Sequence, residues 1–209
     1  MALSKLQIWN MAIAELPDAR LDTLDDVSIA GEACKDQYQP SIELLLEDHP
    51  YDFAIVRKPL ALLSNDRANE WGYAYQLPAD MAAPRYLLPY AAGEVVARPV
   101  YAWGRSGGVP IRIAGGRLYT GQDAATLEYV TNAPSESVFT AKFARALALE
   151  LASRIVMPVK KDQARQEKLV RMAEVARERA KADDMNRDRE SVRDFIPEVQ
   201  LVREGLSWR

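Results

Sequence analysis

The stretch W71-GYAYQLPADMAAPRYLL-P89 crowds aromatics and prolines together without a nucleophile, a metal-ligand cluster or a phosphate loop beside them. Trp71, Tyr73, Tyr75 and Leu77 recur at a period of two, so they are expected to line one face of a strand. Pro78 then removes a ladder donor and should end it. The stretch is built for packing, and it places a sheet in the middle of the chain.

Working outward, the whole interval from 51 to 131 shares this grammar. It holds most of the glycines and half of the prolines, and short runs such as TLEYV read as strands. In IRIAGGRLYT, Gly115 and Gly116 separate two apolar runs, the pattern of a hairpin whose two turn residues need positive φ. GRSGG at 104–108 is expected to be a loop tip, because no Lys-Ser or Lys-Thr follows at P-loop spacing.

Both flanks are helical in period. Ser4 with Gln7 forms a capping-box pattern ahead of Leu6, Trp9, Ile13 and Leu16, which share one helical face and predict a helix over 3–16 that ends near Pro17. Ser28 can cap a second helix over 28–47, with Cys34, Tyr38, Ile42 and Leu45 turned inward. Pro40 falls inside it, and an interior proline deletes one backbone bond, so a kink or break over 36–40 is expected. Beyond the strands, Phe139, Phe143, Leu147, Leu151 and Ile155 stand four apart and predict a helix over 137–157 that stops at Pro158. A last helix over 159–184 carries a thin stripe of Leu169, Met172, Ala173, Ala176 and Ala180 among mixed charges. Residues 185–209 hold Phe195, Ile196, Val199, Leu201, Val202, Leu206 and Trp208 without a helical register, which reads as an extended arm.

The expected fold class is therefore α+β: an antiparallel bundle of about four helices, an inserted β-rich region of short strands and a hairpin over 51–131, and an extended C-terminal arm. Residues 1–184 are expected to form a single domain, because no low-complexity linker separates the strands from the helices. A chain of 209 residues buries about 70% of its extended surface, enough for a sizeable core.

Composition narrows the chemistry. No run approaches the ~18 apolar residues of a membrane span, so no membrane is expected. The opening MALSKLQIWNMAIAELPD lacks the small-residue cleavage pattern of a signal peptide, and assembly in the cytoplasm is expected. Cys34 is the sole cysteine, which excludes an internal disulfide and a multi-thiolate zinc site. On the apolar helical face it should be a small, inert hydrophobe. Charge is uneven: residues 1–52 hold 3 basic and 11 acidic side chains, whereas 53–159 hold 11 basic and 8 acidic. Residues 160–193 again hold 11 basic and 8 acidic side chains, and neither later surplus is the clustered basic patch of a nucleic-acid binder.

Candidate chemistry is sparse. His49 is the sole histidine, beside Asp48 and before Pro50, and sequence neighbours rarely orient one another as a dyad does. Asp22, Asp25 and Asp26 lack the glycine and bidentate glutamate of a calcium loop, and acids ahead of a helix suit its N-terminal dipole. Trp71 to Tyr75 could stack on bases, yet few basic residues interleave with them. No catalytic, metal or cofactor residue is expected.

Element order and three phrases resemble the tail tubular protein A family, the head-to-tail adaptor of short-tailed phages. The phrases are Tyr51-Asp52-Phe53-Ala54 after the second helix, Tyr73-Ala74-Tyr75-Gln76-Leu77-Pro78-Ala79-Asp80, and a strand Leu127-Glu128-Tyr129-Val130 ahead of the alanine-rich helix from Phe143 to Ile155. The chain departs from the family pattern at Tyr51, where Trp is usual, and at Met81, where a smaller residue is common. The resemblance covers about residues 3–184. It implies a noncatalytic virion protein at the head-to-tail junction, assembled in the host cytoplasm. It further implies a ring of twelve copies between the portal protein and the tail nozzle protein, with double-stranded DNA passing through the lumen. On this reading Tyr51, Phe53, Ala54, Tyr73, Tyr75, Leu77, Pro78 and Asp80 are packing positions, and Phe195, Ile196, Val199, Leu201 and Trp208 in the arm are candidates for contact with the portal or a neighbouring copy. A small virion-associated hydrolase and a single-stranded nucleic-acid-binding module are the alternatives.

Overall fold

The capping box at Ser4 is formed. In the computed structural model, which describes residues 3–88 and 109–187, the Ser4 hydroxyl accepts from the Gln7 amide and the Gln7 side chain accepts from the Ser4 amide. Both donors would otherwise be orphaned at the start of α1 (Lys5–Ala14). Ser28 caps α2 (Ile29–Asp48) by accepting from Gly31 at 3.1 Å. A Cβ on Gly31 would stand 2.3 Å from the Asp26 carbonyl oxygen, so the acidic loop can approach the helix this closely only over glycine.

The expected break at Pro40 does not occur, and α2 runs unbroken to Asp48. Pro40 and Asp36 lie on the exposed face, where water can serve the Asp36 carbonyl that the proline leaves without a donor. Pro158 likewise does not stop α3 (Ala141–Lys160). It lies in the last turn, and the helix ends where Lys161 takes a left-handed φ of 53° and donates to the Met157 carbonyl. The start is also later than expected, at a Thr140 cap, with a 3-10 turn over Glu136–Val138 ahead of it. Asp162 caps α4 (Gln163–Met185). Lys142 at the start of α3 pairs with Asp183 at the end of α4, so these two helices run antiparallel.

Seven strands lie among the described residues: β1 (Ile55–Pro59), β2 (Leu62–Leu63), β3 (Tyr73–Gln76), β4 (Met81–Leu88), β5 (Ile111–Ala114), β6 (Arg117–Thr120) and β7 (Thr126–Thr131). They form two antiparallel sheets, ordered β1-β7-β4 and β2-β3-β6-β5. Pro84 is tolerated because β4 is an edge strand, and its register shifts on either side of the Ala83–Pro84 pair. The hairpin forms as expected: Gly115 and Gly116 have φ of 58° and 73°, and Ala114 faces Arg117 across the two-residue turn.

β7 decides how helices meet strands. All six of its residues are buried, and its two faces alternate between two cores. Val130 belongs to the cluster that also takes Ile8, Cys34, Phe143 and Leu169 from the four helices. Leu127 and Tyr129 point the other way, into a smaller cluster with Tyr75, Leu87 and Leu118. The architecture is mixed helix and sheet, α+β. No helix among the described residues is long and apolar enough to cross a membrane. The arm from 188 onward and the glycine-rich stretch at 104–108 lie outside the described residues.

Candidate functional site

The first quoted phrase sits where α2 hands the chain to the sheets. Residues Asp52–Ala54 make a 3-10 turn, and the rings of Tyr51 and Phe53 lie 4.8 Å from Phe143, which Phe139 approaches to the same distance. Four aromatics from the α2–β1 turn and the start of α3 therefore interlock, edge to face for the most part. Ala54 is fully buried beside them. Burial, with Asp184 and Asp48 nearby, pushes the Tyr51 phenol well above its ordinary value, and its hydroxyl has no hydrogen-bond partner among the described residues.

The second phrase supplies β3 and the turn into β4. Tyr73, Tyr75 and Leu77 share the smaller core as expected, but Trp71 does not join them. It lies in the preceding turn, where its amide donates to the Arg67 carbonyl and its own carbonyl accepts from Asn65. The Met81 amide closes the turn on Pro78. Asp80 is the polar hub that follows: it accepts from Lys58 at 2.8 Å and from the Tyr129 hydroxyl at 2.9 Å. The Lys58 hydrogen bond holds the Asp80 carboxyl below the usual aspartate range, and the same bond raises the Lys58 ammonium.

A second polar device escaped the sequence reading. Glu128 on β7 is buried, and its two oxygens are taken by Arg57 at 2.7 Å and Arg85 at 3.0 Å, from the strands on either side. Sequence could have offered only a weak signal, a lone acid in an otherwise buried strand.

The remaining candidates are dispersed. His49 pairs with Asp184 through Nε2 at 2.9 Å, not with Asp48, which instead pairs with Lys181 at 2.6 Å. The histidine thus joins the C-terminal ends of α2 and α4. Cys34 is fully buried, and burial alone pushes its thiol up to about 12. Hydrogen bonding from the Ser28 side chain, and then from its amide, holds the Asp26 carboxyl low, whereas Asp22 and Asp25 stand exposed. No cluster of His, Cys, Asp and Glu suited to a metal ion occurs among the described residues. Tyr75 is 2% exposed, which removes it from any face on which a base could stack. The arm candidates Phe195, Ile196, Val199, Leu201 and Trp208 lie outside the described residues.

A surface groove of about 760 Å³ runs between α3 and α4. Leu149, Met172, Val175 and Ala176 give it an apolar floor, and Arg145, Lys168, Arg171 and Arg179 rim it. Periodicity could have revealed it, since Val175 and Arg179 stand three residues beyond Met172 and Ala176 and widen the thin stripe toward the exposed side. No protein-family model matches the chain. No curated protein matches it either.

Proposed function

We propose that this protein is a structural virion component, the head-to-tail adaptor of a short-tailed phage. Twelve copies form a ring beneath the portal and join it to the tail nozzle, leaving a channel for double-stranded DNA. In this reading residues 1–184 are one adaptor domain, an antiparallel bundle of four helices into which the strands of 51–131 are inserted, and 185–209 are an arm. Ring, portal and nozzle are inferred from the family resemblance of the sequence.

One observation carries the reading. Two of the three phrases behind the resemblance are joints of the molecule: Tyr51 and Phe53 lock the α2–β1 turn onto Phe143, and Asp80 ties Lys58 and Tyr129 together across one sheet. Both consist of packing rings and satisfied ion pairs, the equipment of a scaffold. The net acidity of residues 1–52 suits a channel wall that repels phosphates.

The test is electron microscopy of the protein mixed with the portal from the same virion. Density ringing the lower face of the portal is expected, and bare portals with free protein would refute the adaptor. The apolar arm residues Phe195, Ile196, Val199, Leu201 and Trp208 are proposed contacts to the portal or a neighbour. A hydrolase is the second reading, and the His49–Asp184 pair is what favours it. It requires that His49→Ala abolish a measurable hydrolytic rate while the fold persists.

A further inference from the structure

Two surface patches on this chain are unlike in charge and alike in exposing large apolar side chains. The first is the α3–α4 groove, where Val175 is 52% exposed. Its rim cations Lys168, Arg171 and Arg179 form no ion pair among the described residues, and Glu167 is the one acid among the lining side chains. The second lies where the acidic loop enters α2: Val27 is 88% exposed and Ile29 69%, beside Ala33 and Pro158. Its acids are Glu32, which meets Lys35 at 3.8 Å, and Asp36, which has no ion partner among the described residues. Arg154 is the one cation there and is already paired with Glu150.

Apolar groups this exposed mark a contact surface when they are contiguous and ringed by charge. Each patch alone would accept many partners, but together they fit one. We infer that the acidic patch around Val27 and Ile29 of one copy seats in the basic α3–α4 groove of a second copy. The inference rests on the adaptor reading and supplies the contact that a ring needs. It fits the geometry of α3: Arg145 and Arg154, one in each patch, are nine residues or two and a half turns apart, so the patches lie on opposite sides of one helix. A contact between two different surfaces is heterologous, and repetition on opposite sides of a rigid element generates a ring or a filament, not an isolated dimer. Opposite charge also disfavours groove-to-groove and patch-to-patch pairing, where like charges would meet.

Cross-linking tests this on the full chain, alone at high concentration and on portal rings. The natural thiol is buried, so added cysteines report alone. A Val175→Cys copy mixed with an Ile29→Cys copy should give a mixed cross-linked dimer at least tenfold above either copy with itself. The double variant Arg171→Glu with Arg179→Glu should abolish it, and partnering that variant with a copy carrying Glu32→Lys and Asp36→Lys should restore it. Folding failure cannot produce that rescue. Three outcomes overturn the inference: Val175→Cys linking to itself, Val175→Cys linking within one chain to Trp208→Cys, which would make the chain's own tail the occupant, or normal ring formation by the unrescued Arg171/Arg179 variant. The last leaves the adaptor reading intact. An unmodified chain that never rings a portal defeats the adaptor reading instead, while the 175–29 cross-link in the free chain would still stand.

Discussion

The helical core and the sheet core bury their aromatics in different ways. Among the helices the large rings touch one another: Phe143 lies 4.8 Å from Tyr51, Phe53 and Phe139, and the Trp9 indole and Tyr51 hydroxyl are buried without hydrogen bonds to any described residue. Among the strands the buried rings are tyrosines, and each hydroxyl finds an acceptor. Tyr75 donates to the Gln122 carbonyl at 3.0 Å, Tyr119 to Asp66 at 2.9 Å and Tyr129 to Asp80 at 2.9 Å. Length explains the difference. Helices α2 and α3 have twenty residues each and satisfy their backbones internally, so packing alone can hold them. Strands of two to eight residues offer short ladders, and polar cross-links between them replace what the ladders lack. The interior of the helical side relies mainly on ring packing, with its polar pairs, such as Lys142–Asp183 and Asp48–Lys181, at the helix ends, whereas the sheet side carries paired polar groups into its core.

The sharpest way to break that contrast is Phe143→Ala. Removing a fully buried ring shared by three others should cost ~3–5 kcal/mol in denaturant unfolding. A loss near zero would mean that the ring cluster does not hold the helices to the α2–β1 turn.

Glu128→Gln comes next, because it removes the charge that joins all three strands of one sheet. Arg57 is about half exposed and can return to water, so the loss should be about 1–3 kcal/mol and not the larger value of a fully buried pair. Hydrogen exchange should quicken in β1, β4 and β7 and stay unchanged in α1. Equal quickening in both would show that the two cores are not separable.

Tyr75→Phe isolates a single hydroxyl in the smaller core and should cost about 1 kcal/mol, measured as a shift in the denaturation midpoint. A neutral result would reduce the tyrosines to packing rings like those of the helices.

The smallest effect concerns pH. Asp80 has a lowered carboxyl value because Lys58 donates to it, so its contribution is complete above the ordinary aspartate value of about 3.9 and is lost as pH falls through the lower folded value. Lys58 is raised by the same bond, so its contribution is complete below the ordinary lysine value and is lost only as pH climbs through the higher folded one. The pair therefore acts across the whole neutral range. Asp80→Asn should flatten the acid limb of the stability curve and shift the neutral plateau only slightly, since both partners are well exposed. An acid limb identical to that of the unmodified chain would assign the sensitivity elsewhere.

Local signals were legible where one backbone segment settles the matter. The caps at Ser4 and Ser28 and the Gly115–Gly116 turn are written in a few adjacent residues and form as read. The stripe from Phe143 to Ile155 was legible because burial repeats at the helical period. Pro40 was misread because its cost depends on whether the freed carbonyl meets solvent, and the inward stripe of Cys34, Tyr38, Ile42 and Leu45 leaves Asp36 and Pro40 on the outer face; Pro158 was misread because it falls in the last turn, where the helix is already ending. Trp71 was misread because period two continues one residue pair beyond the strand that uses it.

What sequence alone determined is the alternation of helical and extended grammar, the caps, the turn, and the inventory that leaves His49 without a second histidine. Tertiary structure alone decided the partners. Asp184 reaches His49 across 135 residues, Arg57 and Arg85 meet on Glu128, and the groove exists only because α3 and α4 lie side by side. The physical reason is range. Caps and turns are set by bonds within a few residues, whereas ion pairs and grooves depend on which faces of distant segments are pressed together, and that is settled by burying both cores at once.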